Sequence, residues 1–191
     1  MINEVMAKVN AIITSSNGRP MPYGIFLNGE PGSGKTLLAT LAAKVLFEVQ
    51  HPGKKLKPQH IITRGKDKFW SNLTLEVKTI ILDDYNSMHS TPGSIDPTLE
   101  DYLQVHNTTV LPSMQASVED KDKVPFVQDN TIVTSNNGHI GVSKIYKCVP
   151  ALARRTPEVC IVEKRDTPGD NIYSDHPSLG IEYSYIYTFR S

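Results

Sequence analysis

Residues 23–47 read Tyr23-Gly24-Ile25-Phe26-Leu27-Asn28, then Gly29-Glu30-Pro31-Gly32-Ser33-Gly34-Lys35-Thr36, then Leu37-Leu38-Ala39-Thr40-Leu41-Ala42-Ala43-Lys44-Val45-Leu46-Phe47. The first segment is a short apolar run of strand length. The third is rich in Leu and Ala, the residues that lose least on entering a helix. The octet between them matches G-x-x-x-x-G-K-S/T in the strand-to-helix setting that this pattern requires. Glycines there let backbone N–H groups curl around phosphate oxygens without Cβ clashes, and the helix N-terminus adds its positive dipole end. The whole octet (Gly29, Glu30, Pro31, Gly32, Ser33, Gly34, Lys35 and Thr36) is therefore the candidate nucleotide cradle. In such a loop Lys35 reaches the β- and γ-phosphates, and the Thr36 hydroxyl ligates Mg²⁺.

Working outward, His51-Pro52-Gly53 ends the helix, and Ile61-Ile62-Thr63 and residues 77–82 read as strands. Residues 97–106 read as helix, residues 130–135 as a buried strand, and residues 149–155 as a short helical segment opened near Pro150. Strands alternating with helices predict an α/β fold of P-loop type, with a central parallel sheet flanked by helices. Upstream, Ile2, Val5, Met6, Val9, Ile12 and Ile13 fall at helical spacing. The organisation expected is an amphipathic helix and connector over residues 1–20, the core over 21–165, and a tail over 166–191. In that tail, Tyr183, Tyr185 and Tyr187 alternate as in an edge strand.

Chemistry gathers at the strand ends. The apolar run over residues 77–82 ends in Asp83-Asp84. A carboxylate at the tip of a strand beside the phosphate loop is a hard oxygen ligand for Mg²⁺, and an adjacent carboxylate can orient or deprotonate the attacking water. The next strand ends in Thr134-Ser135-Asn136, where the neutral amide of Asn136 can sense the γ-phosphate and hold that water in line. Arg154-Arg155 follows Ala151-Leu152-Ala153 and can neutralise transition-state charge as a finger inserted into a neighbouring subunit's site.

The ordered set of residues 29–36, Asp83-Asp84, Asn136 and Arg154-Arg155 resembles the superfamily 3 helicases of small viruses, most closely the picornavirus-like 2C ATPase. Lys68-Phe69-Trp70, the segment over residues 111–121 and the Ala-Leu-Ala-Arg-Arg string resemble the connecting segments of that family, and the similarity spans about residues 22–163. The resemblance implies an AAA+-like ATPase with ATP and Mg²⁺ as cofactors. Lys35 and Thr36 would lie on the nucleotide and metal, with Asp83 on the metal side, Asp84 on the water side and Asn136 as sensor. It implies self-association in a ring, a hexamer, with Arg154 or Arg155 acting in trans. It also implies a single-stranded nucleic-acid partner, RNA in preference to DNA, held at a pore-facing loop over residues 114–123 through Lys121 and Lys123. Relatives of this kind carry a membrane-binding N-terminal helix and a C-terminal extension, neither of which shows here beyond residues 2–13. Membrane or other viral replication proteins are thus expected partners through other regions, at membrane-associated replication sites in the host cytoplasm.

Composition bounds these readings. The 191 residues carry 20 Lys plus Arg against 20 Asp plus Glu, so no global positive field draws the chain to nucleic acid. Positive charge concentrates locally, most densely at Lys54, Lys55, Lys57, Arg64, Lys66 and Lys68, read as a loop flanking the site or an outer nucleic-acid patch. Cys148 and Cys160 cannot make a four-thiolate zinc site, and the six histidines lack ligand spacing. No apolar run reaches the ~20 residues that span a bilayer, and the expectation is a cytosol-facing protein. Three rival functions share the loop: the helicase core of a single-stranded DNA virus replication initiator, an ATP-gated assembly or packaging scaffold, and a small-molecule kinase. The last leaves Asn136 and the paired arginines without a role.

Overall fold

The computed structural model describes residues 18–65, 68–87, 96–117, 123–136, 150, 154–155 and 158–162. Among these residues five strands and two α-helices follow one another: β1 (Tyr23–Asn28), α1 (Lys35–Gln50), β2 (Ile61–Arg64), β3 (Thr79–Leu82), α2 (Pro97–Val105), β4 (Asn130–Ser135) and β5 (Glu158–Ile161). All the strands are parallel, in the order β2-β3-β4-β1-β5. The expected α/β architecture, a central parallel sheet flanked by helices, is the one observed.

The strands read as near-continuous apolar runs because both faces of the sheet are covered. On one face Leu27, Ile81 and Ile132 meet Ala39 and Ala43 of α1. Those alanines and Phe47 recur at i, i+4 and i+8, which puts one stripe of α1 on the sheet. The small alanines let the helix axis approach closely. Sequestering Phe47 contributes about 2 kcal/mol. On the opposite face Phe26, Ile62, Ile80, Leu82 and Val133 pack with Leu99, Tyr102 and Val105 of α2, together with Trp70 and Phe126.

Helix ends follow local chemistry. Asp96 caps α2, its Oδ1 accepting from Thr98 N at 2.9 Å, with Pro97 in the first turn where a missing N–H costs nothing. The far end of α1 is tied to the start of β4 by a reciprocal amide pair, Gln50 Nε2 to Asn130 Oδ1 at 2.9 Å and Asn130 Nδ2 to Gln50 Oε1 at 2.7 Å.

Three readings are adjusted. The strand expected from Val77 begins at Thr79, because Val77 N–H closes a turn on the Thr74 carbonyl. Strand β5 was not anticipated, although residues 159–162 read Val-Cys-Ile-Val; Val159 and Ile161 are exposed at the sheet edge. Of the short helix over residues 149–155, Pro150 is helical and Arg154 N–H bonds the Pro150 carbonyl at 3.2 Å, while Arg154 and Arg155 themselves form a turn. The amphipathic segment 2–13 and the tail from 166 lie outside the described residues.

Candidate functional site

The site lies at the carboxyl ends of β1, β3 and β4, where open parallel sheets bind ligands. Gly34 caps α1 with φ +83°, a left-handed conformation that a side chain resists. Gly29 is dictated by space instead: a Cβ there would sit 2.1 Å from the Val162 carbonyl oxygen, just beyond β5. The loop closes on its own lysine. Lys35 is only 6% exposed, and its Nζ donates to the carbonyls of Gly29 at 3.0 Å and Glu30 at 2.7 Å, with Ser33 Oγ at 3.4 Å. Burial pushes the Lys35 ammonium below the usual lysine range, opposed by the neighbouring charges of Asp84 and Asp83. Bound phosphate oxygens can take over the acceptor role that the loop carbonyls fill here.

The acid pair sits beside this loop. Thr36 Oγ1 donates to Asp83 Oδ1 at 3.0 Å, so two hard oxygens from different elements face one point, a donor set suited to Mg²⁺. Both residues are open to solvent at least in part. Thr134 Oγ1 donates to the same Asp83 oxygen at 2.6 Å and accepts the Asp84 N–H at 3.0 Å. Asp84, exposed, has φ +52°, left-handed for a residue with a side chain. The turn is fastened further along: Tyr85 N–H donates to the Thr134 carbonyl at 2.8 Å, and Ser135 Oγ donates to the Tyr85 carbonyl at 3.0 Å. The Ser135 carbonyl in turn accepts from Gly29 N–H at 3.2 Å. The end of β4 thus bonds the phosphate loop on one side and the acid pair on the other. Thr134 and Ser135 were quoted in the sequence only as a strand tip. Their signal, two hydroxyl residues ahead of Asn136, acquires meaning only when the strand order puts β4 between β1 and β3.

A family model described as RNA helicase matches residues 25–137, more than half of the chain. The chain belongs to the RNA helicase family, the superfamily 3 viral helicase domain. The match begins inside β1 and runs one residue past Asn136, so it takes in the phosphate loop, the acid pair and the β4 tip. Nucleotide binding and engagement of nucleic acid are the general business of a helicase domain of this family.

Against the helicase domain, the remaining candidate residues fall into place unevenly. Asn136 is exposed just beyond β4, at the same end of the sheet as the acid pair. Arg154 is exposed, whereas Arg155 is half-buried and donates from Nε to the His106 carbonyl at 3.0 Å. Both lie beyond the matched residues. Lys123 is exposed beside two antiparallel segments, joined by Ser113 N–H to the Val124 carbonyl at 2.8 Å and Phe126 N–H to the Leu111 carbonyl at 3.0 Å. Lys121 lies outside the described residues.

The basic stretch of the helicase domain needs correcting. Lys54, Lys55 and Lys57 are exposed on the connection from the end of α1 to the start of β2, which is the end of the sheet away from the phosphate loop. Arg64 does not belong to a solvated patch at all. It is 7% exposed, its Nε donates to Asp101 at 2.9 Å, its Nη1 to the Phe69 carbonyl at 2.8 Å, and its guanidinium lies 4.2 Å over the Trp70 ring. Burial raises the Asp101 carboxyl above the usual range, and the bonds from Arg64 oppose that shift. Lys66 lies outside the described residues, and Lys68 is exposed.

No group of three metal-ligating side chains occurs among the described residues apart from any set made with backbone or hydroxyl oxygens. His106 is 1% exposed and held neutral: burial pushes it down to about 3, and its Nδ1 faces the Tyr102 carbonyl at 3.3 Å. Cys160 lies on β5, half-buried.

Proposed function

We propose that this chain hydrolyses ATP with Mg²⁺ and uses the energy to unwind or remodel RNA during replication of a positive-strand RNA virus, as a picornavirus-like 2C protein does. The observation that carries the reading is the meeting of the buried Lys35 loop with the Thr36–Asp83 contact, 3.0 Å long, in a chain of the RNA helicase family. Thr36 and Asp83 are the residues that hold the metal. Mg²⁺ supplies charge neutralisation on the phosphoryl oxygens when bound. Lys35 exchanges its loop carbonyls for β- and γ-phosphate oxygens. Asp84 takes the proton of the attacking water or orients it, and Asn136 holds that water in line with the γ-phosphate. The phosphoryl group is not passed to the protein, so the products are ADP and phosphate.

In this reading the chain works as a ring, a hexamer, with Arg154 or Arg155 completing a neighbour's site. The segment over residues 114–123 holds a single strand, RNA in preference to DNA, through Lys121 and Lys123. The working place is the host cytoplasm, at membrane-associated replication sites. Two other readings remain distinct in outcome: a helicase core from a single-stranded DNA virus, and an ATP-gated assembly scaffold that unwinds nothing.

The test is phosphate release and strand displacement by purified chain, with Lys35→Ala as control. Turnover that vanishes in Lys35→Ala, with displacement of an RNA duplex, supports the proposal. Hydrolysis without displacement of any RNA or DNA duplex favours the scaffold, and displacement of DNA alone favours the DNA-virus reading. Hydrolysis that survives Lys35→Ala sinks the assignment of the phosphate loop.

A further inference from the structure

We propose that Thr134 is a positioning residue whose single hydroxyl sets both acids of the site, and so sets how tightly the site holds a divalent cation. The proposal rests on the reading that Thr36 and Asp83 take Mg²⁺. It concerns a residue that does not itself face the nucleotide cradle.

The register makes the contact. β3 pairs with β4 as far as Leu82 opposite Val133, so the next residue on each chain, Asp83 and Thr134, come side by side at the end of the ladder. Thr134 is 1% exposed, and no water competes for its hydroxyl. That hydroxyl has one proton, given to Asp83 Oδ1 at 2.6 Å, and it accepts the Asp84 N–H at 3.0 Å. The first bond is short, as expected when the acceptor is an ionised carboxylate. It falls on the same oxygen that Thr36 addresses at 3.0 Å, so the carboxylate is oriented from two elements at once. The second bond holds an aspartate at φ +52°, a conformation that persists only where surrounding structure determines it. One hydroxyl therefore fixes the rotation of Asp83 and the backbone that aims Asp84. Valine at this position keeps the shape and loses both bonds. Serine keeps both. The backbone bond from Tyr85 N–H to the Thr134 carbonyl survives in either case.

Two measurements on Thr134→Val, Thr134→Ser and Thr134→Ala test this. In the nucleotide-free chain, hydrogen exchange of the Asp84 amide should quicken about tenfold or more in the valine and alanine variants and stay slow in serine. With a non-hydrolysable ATP analogue present, Mn²⁺ titration followed by electron paramagnetic resonance should give a half-saturating concentration raised about tenfold in valine and alanine. Nucleotide affinity without metal should change less than twofold, a split that general loss of structure would not produce. If valine fails to fold, alanine carries the same comparison. Wild-type values in valine and alanine, or a serine variant as impaired as valine, overturn the proposal. Wild-type protein that binds nucleotide but no Mn²⁺ would instead refute the metal reading, with the exchange comparison still deciding whether Thr134 holds the turn.

Discussion

Arg155 donates from Nε to the backbone carbonyl of His106 at 3.0 Å, fastening the arginine pair to the last turn of α2. That turn lies at the amino ends of the strands, for Gln128, two residues before β4, donates to the Val105 carbonyl at 2.9 Å, and Arg19, just before β1, bonds the same carbonyl. The phosphate loop leaves the other end of β1, whose six residues span roughly 20 Å. Arg155 is thus committed to its own chain, and Arg154, exposed beside it, sits far from its own nucleotide site. This division favours Arg154 as the residue offered to a neighbour. Arg154→Ala should lower turnover about 10³-fold with little change in thermal midpoint. Mixing it with Lys35→Ala, itself inactive but bearing an intact arginine, should restore turnover. Arg155→Ala should instead lower the thermal midpoint. Rescue of Arg155→Ala but not Arg154→Ala by the same mixing would reverse the assignment.

Gly29 is answerable to space more than to backbone angle. A Cβ at 2.1 Å from the Val162 carbonyl must displace the segment after β5 or the loop itself. Gly29→Ala should therefore lose nucleotide binding and several degrees of thermal stability. Gly53→Ala is the comparison: its φ is +76°, but nothing lies within 4 Å of the added atom, so the cost is backbone strain alone, about 1 kcal/mol. Calorimetry and fluorescent-nucleotide titration read both. Equal behaviour of the two variants would refute the steric argument.

Arg64 offers a sharp contrast between a surface patch and an internal ion pair. Arg64→Met removes the partner of a buried carboxylate and should lower unfolding free energy by about 3 kcal/mol. The double variant Arg64→Met/Asp101→Leu should recover most of that loss. RNA affinity, corrected for the folded fraction, should be unchanged in the double variant. A tenfold loss of RNA affinity at full folding would return Arg64 to the nucleic-acid surface.

His106 makes the fold sensitive to acid. Its folded value near 3 lies below the unfolded value of 6.5, so between those limits the unfolded chain binds a proton that the folded chain refuses. Stability from this residue is complete above pH 6.5 and declines as pH falls, by about 2 kcal/mol on reaching pH 5. Urea unfolding at pH 7 and pH 5 should show a larger drop in wild type than in His106→Gln, and the difference between the two drops isolates the histidine. Equal drops would mean that His106 is not held neutral.

Much of the fold was legible because its signals are local. Residues 23–47 contain a strand, a loop and a helix whose identities depend on neighbouring residues only, and residues 97–106 read as helix in the same way. The acid pair was legible because an apolar run ending in two carboxylates, common by itself, here follows the phosphate loop by one helix and one strand. Strand β5 was not: the short apolar run Val159-Cys160-Ile161-Val162 has no motif beside it, and only its pairing with β1 makes it a strand of the sheet. Arg64 was misread because its charge is visible in the sequence while Asp101, its partner 37 residues on, is not visible as a neighbour.

The sequence by itself determined that this chain folds as a parallel α/β domain with a phosphate loop, that Lys35 and Thr36 open the helix after one strand, and that Asp83 and Asp84 follow the tip of another. Only the tertiary structure decided that β4 lies between the strands bearing them. With that order, Thr134 and Ser135 become the bonds between loop and acids, and the arginines move to the opposite end of the sheet. The reason is physical: periodicity and propensity act over a few residues, whereas strand order is set by which apolar faces pack together across the whole chain.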